Sequence, residues 1–159
     1  MLAVACSLIF SGCYTFKGFS IDPELETFYV DQFENKAFNA PPNINQTFTE
    51  TLKIKISRES RLVINELNPD IKFDGTITRY QVSAVSPEPG EVTALQRLDI
   101  TVDVEYYNMR DLEDTWRQSF TFFADFSPGQ NLLDVQDQLI AIIFEQIQED
   151  IFNKAFANW

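Results

Sequence analysis

The feature that most constrains the fold is a strict alternation of apolar and polar residues between positions 97 and 106. Because successive side chains of a β-strand point to opposite faces, this pattern predicts a strand with one buried face and one wet face. Such a strand is typical of an antiparallel sheet that is covered on one side only. The apolar set is Leu98, Ile100, Val102, Val104 and Tyr106, and the polar set is Arg97, Asp99, Thr101, Asp103 and Glu105.

Three further segments have the composition of strands, and a fourth segment is ambiguous. Residues 25–30 are rich in β-formers, and residues 71–85 alternate, with Gly75 indicating a bulge. Residues 62–64 are read as either a helix extension or the start of a strand. The last strand places apolar side chains on one face, namely Trp116, Phe120, Phe122, Ala124 and Phe126.

Two segments have helical periodicity. Ile44, Phe48, Leu52 and Ile56 recur every four residues, which predicts a helix that follows Pro41-Pro42 and ends near Ser60. Asn131 is a plausible cap for a second helix that runs to about Asn158. The stripe of this helix is Leu132, Leu139, Ile143, Ile147 and Ile151, widened by Ile140, Ile142, Phe152 and Phe156, with Glu145, Glu149 and Asp150 facing out.

These elements predict one α+β domain over residues 13–159, in the order β-α-β-β-β-α. We expect a four-stranded, mainly antiparallel sheet with two helices packed on one face. A chain of 159 residues, 45% of them hydrophobic, is long enough and apolar enough to bury its own core.

The amino terminus is typical of a bacterial lipoprotein signal peptide over residues 1–12. The apolar run from Leu2 to Phe10 is too short to span a bilayer, and Phe10-Ser11-Gly12-Cys13 resembles a lipobox. No Lys or Arg precedes Lys17, so the basic n-region is truncated. We expect Cys13 to become the lipid-carrying first residue of the mature protein.

Two alternatives to Cys13 remain open. Ala3-Val4-Ala5-Cys6 also resembles a lipobox, although only five residues precede Cys6. In the second alternative, the apolar run from Leu2 to Phe10 is a buried strand of the domain instead of a signal peptide. If Cys13 is the mature terminus, Cys6 leaves with the signal, no thiol remains for a disulfide, and packing alone must stabilise the domain.

The charge excludes one class of partner. A net charge of −12 repels phosphate backbones, so no nucleic-acid partner is expected. Four of the twelve basic residues nevertheless fall within nine positions, and they are either a solvated helix face or a docking patch for an acidic partner. This basic cluster is Lys53, Lys55, Arg58 and Arg61.

The residue types argue against catalysis. The sequence has no His, which removes the commonest general base and the commonest metal ligand. No nucleotide-binding or metal-binding motif occurs, so we expect no enzyme activity, no cofactor and no metal. The many phenylalanines are read as core, except that Phe123 and Tyr107 are candidates for an exposed aromatic strip.

Four segments along the chain resemble the LptE-type lipopolysaccharide-assembly lipoproteins, in the form found in Bacteroidota. They are Cys13-Tyr14-Thr15-Phe16-Lys17-Gly18, Phe28-Tyr29-Val30-Asp31-Gln32-Phe33-Glu34-Asn35, Asp74-Gly75-Thr76-Ile77-Thr78-Arg79-Tyr80 and Ile151-Phe152-Asn153-Lys154-Ala155-Phe156-Ala157-Asn158-Trp159. The resemblance implies an outer-membrane lipoprotein on the periplasmic side, which plugs and helps to assemble the translocon barrel LptD. Contact with lipopolysaccharide itself is a further implication.

A plug must meet a polar barrel lumen over much of its girth. We therefore expect contacts from the polar strand face with Arg97, from the basic cluster, and from a hairpin tip stiffened by Pro87 and Pro89. Two other functions stay open: a generic periplasmic scaffold of another envelope complex, and a lipid carrier with an aromatic pocket between sheet and helices.

Overall fold

A computed structural model describes residues 21–86 and 95–157 of the chain. These residues form six strands and two helices. In chain order the elements are β1 (Thr27–Val30), β2 (Glu34–Asn35), α1 (Ile44–Glu59), β3 (Val63–Ile64), β4 (Ile71–Val85), β5 (Leu95–Asn108), β6 (Trp116–Phe126) and α2 (Leu132–Phe156).

All six strands belong to one mixed sheet. The order across it is β3-β1-β4-β5-β6, and β2 pairs separately with β4. β4, β5 and β6 form an antiparallel meander, whereas β1 and β2 run parallel to β4 and β3 runs parallel to β1. The three long strands therefore carry the sheet, and the short strands extend it on one side.

The α+β class with two helices is confirmed, but the sheet has six strands instead of four, and it is not all antiparallel. β2 and β3 are two residues each, too short to show any periodicity in the sequence. β1 is parallel to β4 because α1 lies between them in the chain, and a helical crossover returns the chain to the end of the sheet from which it left. Of the two interpretations of residues 62–64, the strand is confirmed.

The core lies between the sheet and the two helices. The predicted apolar faces of β5 and α1 are confirmed as fully or almost fully buried. Aromatic rings fill much of this space: Phe48 meets Phe144 edge to face with ring centroids 4.8 Å apart, and Phe73 lies 5.2 Å from Tyr106. The expectation that most phenylalanines are core is confirmed for the described residues.

α2 also follows the sequence closely. The side chain of Asn131 caps its first turn by accepting a hydrogen bond from the backbone N–H of Leu133, at 3.1 Å. The helix ends at Phe156. One residue of the predicted stripe is misplaced, because Ile142 is 45% exposed on the flank that overhangs β6.

Gly75 does not mark a bulge. The register of β4 against β5 slips between Ile77 and Arg79, three residues further on. A Cβ at Gly75 would lie 2.3 Å from the backbone oxygen of Asp103 and 2.5 Å from the ring of Phe33. Glycine is needed here because the buried Phe33 ring occupies the space of a side chain.

The sheet has two distinct ends. At the entry end, which holds Asp22 and the loops 65–70 and 109–114, the chain passes into β1. The entry end is also where α1 finishes, since Arg61 donates to the backbone oxygen of Asp22 at 2.6 Å. At the hairpin end, β4 finishes at Val85 and β5 begins at Leu95. The predicted hairpin tip with Pro87 and Pro89 belongs to the segment between them, outside the described residues.

Candidate partner-binding surfaces

The sheet face that points away from the helices is a broad polar surface built by β4, β5 and β6. Along β5 its residues alternate with the buried ones, as the sequence predicts. The register brings polar residues of β4 and β6 alongside them. This surface, called the open face below, is made of Lys72, Asp74, Thr76, Arg79, Gln81, Ser83, Arg97, Asp99, Thr101, Asp103, Glu105, Tyr107, Arg117, Ser119, Thr121, Phe123 and Asp125.

Charges on the open face compensate one another across neighbouring strands. Arg97 holds Asp125 in a two-pronged contact, with Nε–Oδ1 at 2.7 Å and Nη2–Oδ2 at 2.9 Å. Arg117 lies 3.1 Å from Glu105. Because Arg97 donates hydrogen bonds to it, the pKa of Asp125 is lowered, so the pair stays ionised at neutral pH.

Hydroxyl groups fill the centre of the open face. The Oγ1 atoms of Thr101 and Thr121 are 2.9 Å apart across β5 and β6, and Ser119 donates to Asp103 at 2.5 Å. The face therefore combines paired charges with hydroxyls, a surface that suits a wet interface better than an apolar one.

The predicted aromatic strip does not form. Tyr107 and Phe123 both lie on the open face, but Tyr107 sits opposite Lys72 and Phe123 sits opposite Asp99. Eight residues of β5 separate these two positions, about 27 Å at the rise of an extended strand. Instead, Phe123 is covered by the guanidinium of Arg97, which lies 3.6 Å from the ring centroid.

The basic cluster does not act as one patch. Lys55, with a side chain only 12% exposed, contacts Glu149 of α2 at 2.5 Å and Glu59 at 2.8 Å. Burial alone would lower its pKa, but the hydrogen bonds to Glu149 and Glu59 outweigh burial and raise the pKa. Lys55 therefore joins the two helices, and a partner would have to compete with Glu59 and Glu149 for its ammonium group.

The other members of the cluster differ from one another. Lys53 contacts Glu50 at 3.3 Å on the helix surface, and Arg61 binds the backbone oxygens of Asp22 and Leu25. Within the described chain, Arg58 has no ion pair. Of the four cations, Arg58 is the one that a partner can approach without competition from the fold.

An open cleft of about 620 Å³ separates the outer sides of α1 and α2. Ile54, Ile140 and Phe144 contribute apolar surface, and Arg58 and Lys55 lie toward one end. The aromatic pocket expected between sheet and helices is absent from the described residues, because those rings are packed together as core.

Asp70 ties the entry end together, and nothing in the sequence pattern singles it out. Its carboxylate accepts hydrogen bonds from the backbone N–H groups of Glu26 and Thr27, each at 2.9 Å, and from Arg110 at 2.7 Å. Although burial raises its pKa, these hydrogen bonds together lower the pKa to about 2. Its backbone oxygen also accepts from Met109 at 2.8 Å.

Some of the predicted site residues fall outside the described residues, namely Cys6, Cys13, Pro87 and Pro89. Within residues 21–86 and 95–157, no group of three or more acidic or Cys side chains is arranged to hold a metal ion. Neither helix in that part of the chain combines the length and apolarity needed to cross a bilayer.

These features define a class: a small α+β domain with two helices on one face of a mixed sheet and a polar, open opposite face. The chain belongs to the LptE family of lipopolysaccharide-assembly proteins, whose family model matches residues 25–155. This membership confirms the resemblance found in the sequence. A search of curated proteins finds no match.

Solved structures of bacterial proteins share the fold. A hypothetical protein from Chlamydia trachomatis aligns with a TM-score of 0.58 at 10% identity, covering 84% of this chain and 99% of that one. Lipoprotein B from Nitrosomonas europaea gives 0.56 at 15% identity, covering 88% and 86%. A minor lipoprotein from Acinetobacter baumannii gives 0.55 at 10%, covering 84% and 94%. Identities this low support the fold alone.

Proposed function

We propose that this protein is a non-catalytic outer-membrane lipoprotein that fills the lumen of an LptD-like barrel during lipopolysaccharide assembly. Cys13 carries its lipid on the periplasmic side. Membership in the LptE family supports the assembly role, and the open face is the observation that carries the plug role.

The open face matches the chemistry of a barrel interior. Outer-membrane barrels keep an apolar band outside and a polar lumen inside. Charges that are already paired within the sheet, such as Arg97 with Asp125, can be covered by a polar wall without leaving a buried charge unpaired. An interface of this kind is wet and polar, and complementary charges set its register.

The length and direction of the sheet fit the same role. β4 spans 15 residues, about 50 Å at 3.3 Å per residue, comparable to the full thickness of a bilayer. Eight residue steps separate Cys13 from Ile21, a reach of at most about 29 Å. The lipid therefore keeps the entry end near the membrane surface, and the hairpin end of the sheet, at Val85 and Leu95, extends furthest into the lumen.

Direct binding of lipopolysaccharide has weaker support. Three of the four cations in the basic cluster are engaged within the chain, so Arg58 is left to meet an anionic headgroup. The cleft beside Arg58 favours a lipid carrier as the second candidate function, because it joins an exposed apolar side chain, Ile54, to a free cation.

Affinity purification from membranes in a mild detergent separates the candidates. We expect the tagged full-length chain to recover a large barrel protein at a one-to-one ratio. Recovery of smaller periplasmic proteins instead would support the generic scaffold, and recovery of a lipid-loaded monomer would support the carrier. Either of these results without the barrel would contradict the plug.

A matched pair of variants then tests the open face. Thr101→Trp puts bulk at the centre of the open face, where it does not touch the core, and we expect it to reduce barrel recovery at least tenfold. Leu67→Trp changes a residue that is 88% exposed at the entry end and should leave recovery unchanged. Equal recovery with both variants would remove the open face from the interface.

A further inference from the structure

β6 is the exposed edge of the sheet. Its inner side pairs with β5 over its whole length, from Trp116 to Phe126, and no other described strand pairs with its outer side. The opposite edge, β3, is two residues long and offers little to pair with. β6 therefore presents an edge of 11 residues, along which every second residue has an unused backbone N–H and C=O.

This edge lacks the usual protection against strand pairing. Natural edge strands carry proline, bulges or central lysines that prevent another strand from adding to them. The centre of β6, residues 119–124, reads Ser-Phe-Thr-Phe-Phe-Ala, with no charge, proline or glycine. Because β-formers dominate this stretch, an added strand would find a favourable template.

The sequence of β6 is complementary to itself when it is reversed about Thr121. Arg117 and Asp125 lie four residues on either side of this centre, and Phe120 and Phe122 lie one residue on either side. An antiparallel pair of two β6 strands centred on Thr121 therefore sets Arg117 opposite the second copy's Asp125, twice. It also sets Phe120 opposite the second copy's Phe122, twice.

Ion pairs within each copy extend the alternation of charge from β5 across the two paired β6 strands. Glu105 already pairs with Arg117, and Asp125 already pairs with Arg97. The joined sheet thus carries a row that alternates in sign: Glu105, Arg117, then the second copy's Asp125 and Arg97. The hydroxyl contact between Thr101 and Thr121 likewise continues into the second copy.

We propose that two copies of this chain pair antiparallel through β6, in the register centred on Thr121. The partner is a second copy because the complementarity is internal to β6. The pairing does not depend on the function proposed above. It occupies the edge of the sheet before any other partner is bound.

The helix side of the edge contributes one favourable and one opposing contact. A notch of about 400 Å³ beside β6 is lined by Phe122 and Ile142, which the second copy's aromatic side chains can fill. Glu145 also lines this notch. The twofold axis of the proposed pair would bring the Glu145 carboxylates of the two copies toward each other, and like charges repel. We expect Glu145→Gln to strengthen the pairing severalfold.

Disulfide trapping tests the register. In the full lipidated chain, Thr121→Cys places two cysteines directly opposite each other, within the reach of a disulfide. We expect a covalent dimer on non-reducing gels after mild oxidation of the purified full chain without a bound barrel protein. Thr76→Cys is the control, because five strand spacings, at least about 24 Å, would separate its two copies. Equal trapping by both variants, no dimer, or a cross-link to a different protein would overturn the proposal.

Charge reversal tests the complementarity in the Thr121→Cys background. Arg117→Asp alone sets acid against acid, and Asp125→Arg alone sets base against base, so each should reduce trapping about tenfold. Co-expression of the two variants restores both opposite pairs and should restore trapping. Arg79→Asp, a reversal on the open face away from β6, should change little. If thermal melts show that both variants are folded and co-expression still does not restore trapping, the proposed register is contradicted.

Discussion

The two faces of β5 differ in what holds them in place. On the helix side, Leu98, Ile100, Val102 and Val104 are completely buried in the hydrophobic core. On the open side, charged and hydroxyl residues remain partly exposed and pair with neighbours on β6. The buried side therefore supplies most of the stability, and the open side can meet a partner without a cost to the fold.

The largest effect is expected on the buried side. Val102→Asp puts a carboxylate without a counter-ion into the core, and it should cost more than about 4 kcal/mol and unfold the domain. Circular dichroism of the purified variant checks this expectation. A cooperative melt close to that of the unmodified protein would show that Val102 is not a core residue.

The next largest effect is expected at Gly75. Gly75→Ala forces a Cβ against the backbone oxygen of Asp103 and the ring of Phe33, neither of which can move freely. We expect a loss of about 3 kcal/mol in the free energy of unfolding, measured by urea denaturation. A loss below about 1 kcal/mol would mean that the Phe33 ring can leave this position.

Asp70 gives a smaller, pH-dependent effect. Its pKa in the fold is about 2, below the ordinary 3.8, so its interactions stabilise the protein above pH 3.8 and are lost as the pH falls through about 2. Asp70→Asn should therefore cost about 2 kcal/mol at neutral pH. The difference in stability between the variant and the unmodified protein should shrink between pH 4 and pH 2. A difference that is constant with pH would show that the Asp70 carboxylate is not the cause.

The smallest effects compare two charge reversals that the sequence pattern places on solvated faces. Asp103→Lys removes one hydrogen bond from the open face and should change stability by less than about 1 kcal/mol. Glu149→Lys should cost more, about 1–2 kcal/mol, because Glu149 accepts from the largely buried Lys55. Thermal melts of the two variants check the order, and equal costs would contradict the role of Lys55 in joining the helices.

Much of the fold follows from periodicity, because burial of one face is a local property of a long strand or helix. The stripes of α1, β5 and β6 are therefore visible in the sequence. The parallel strands β2 and β3, the hydrogen bonds of Asp70 and the pairing of Lys55 with Glu149 join residues that are distant in the chain. A single sequence carries no periodic signal for such contacts, which explains why β2 and these contacts were not predicted, and why β3 was only one of two interpretations of residues 62–64.

The candidate surfaces likewise differ in how far the sequence could predict them. The polar face around Arg97 could be predicted, because it is the complement of a buried stripe. The basic cluster looked uniform in sequence, yet its members differ in the fold. Lys55 pairs with Glu149 of α2, whereas Arg58 has no ion pair within the described residues. The function itself rested on a family resemblance, because a surface of paired charges contains no catalytic pattern.

Site-specific photo-cross-linking in cells tests the central claim most directly, namely that the open face meets the barrel. A photoreactive residue at Asp99, on the open face, should yield an adduct with a large outer-membrane barrel protein. The same residue at Leu67, at the entry end, should yield little or none. Efficient cross-linking from Leu67 and none from Asp99 would contradict the account and place the partner elsewhere on the domain.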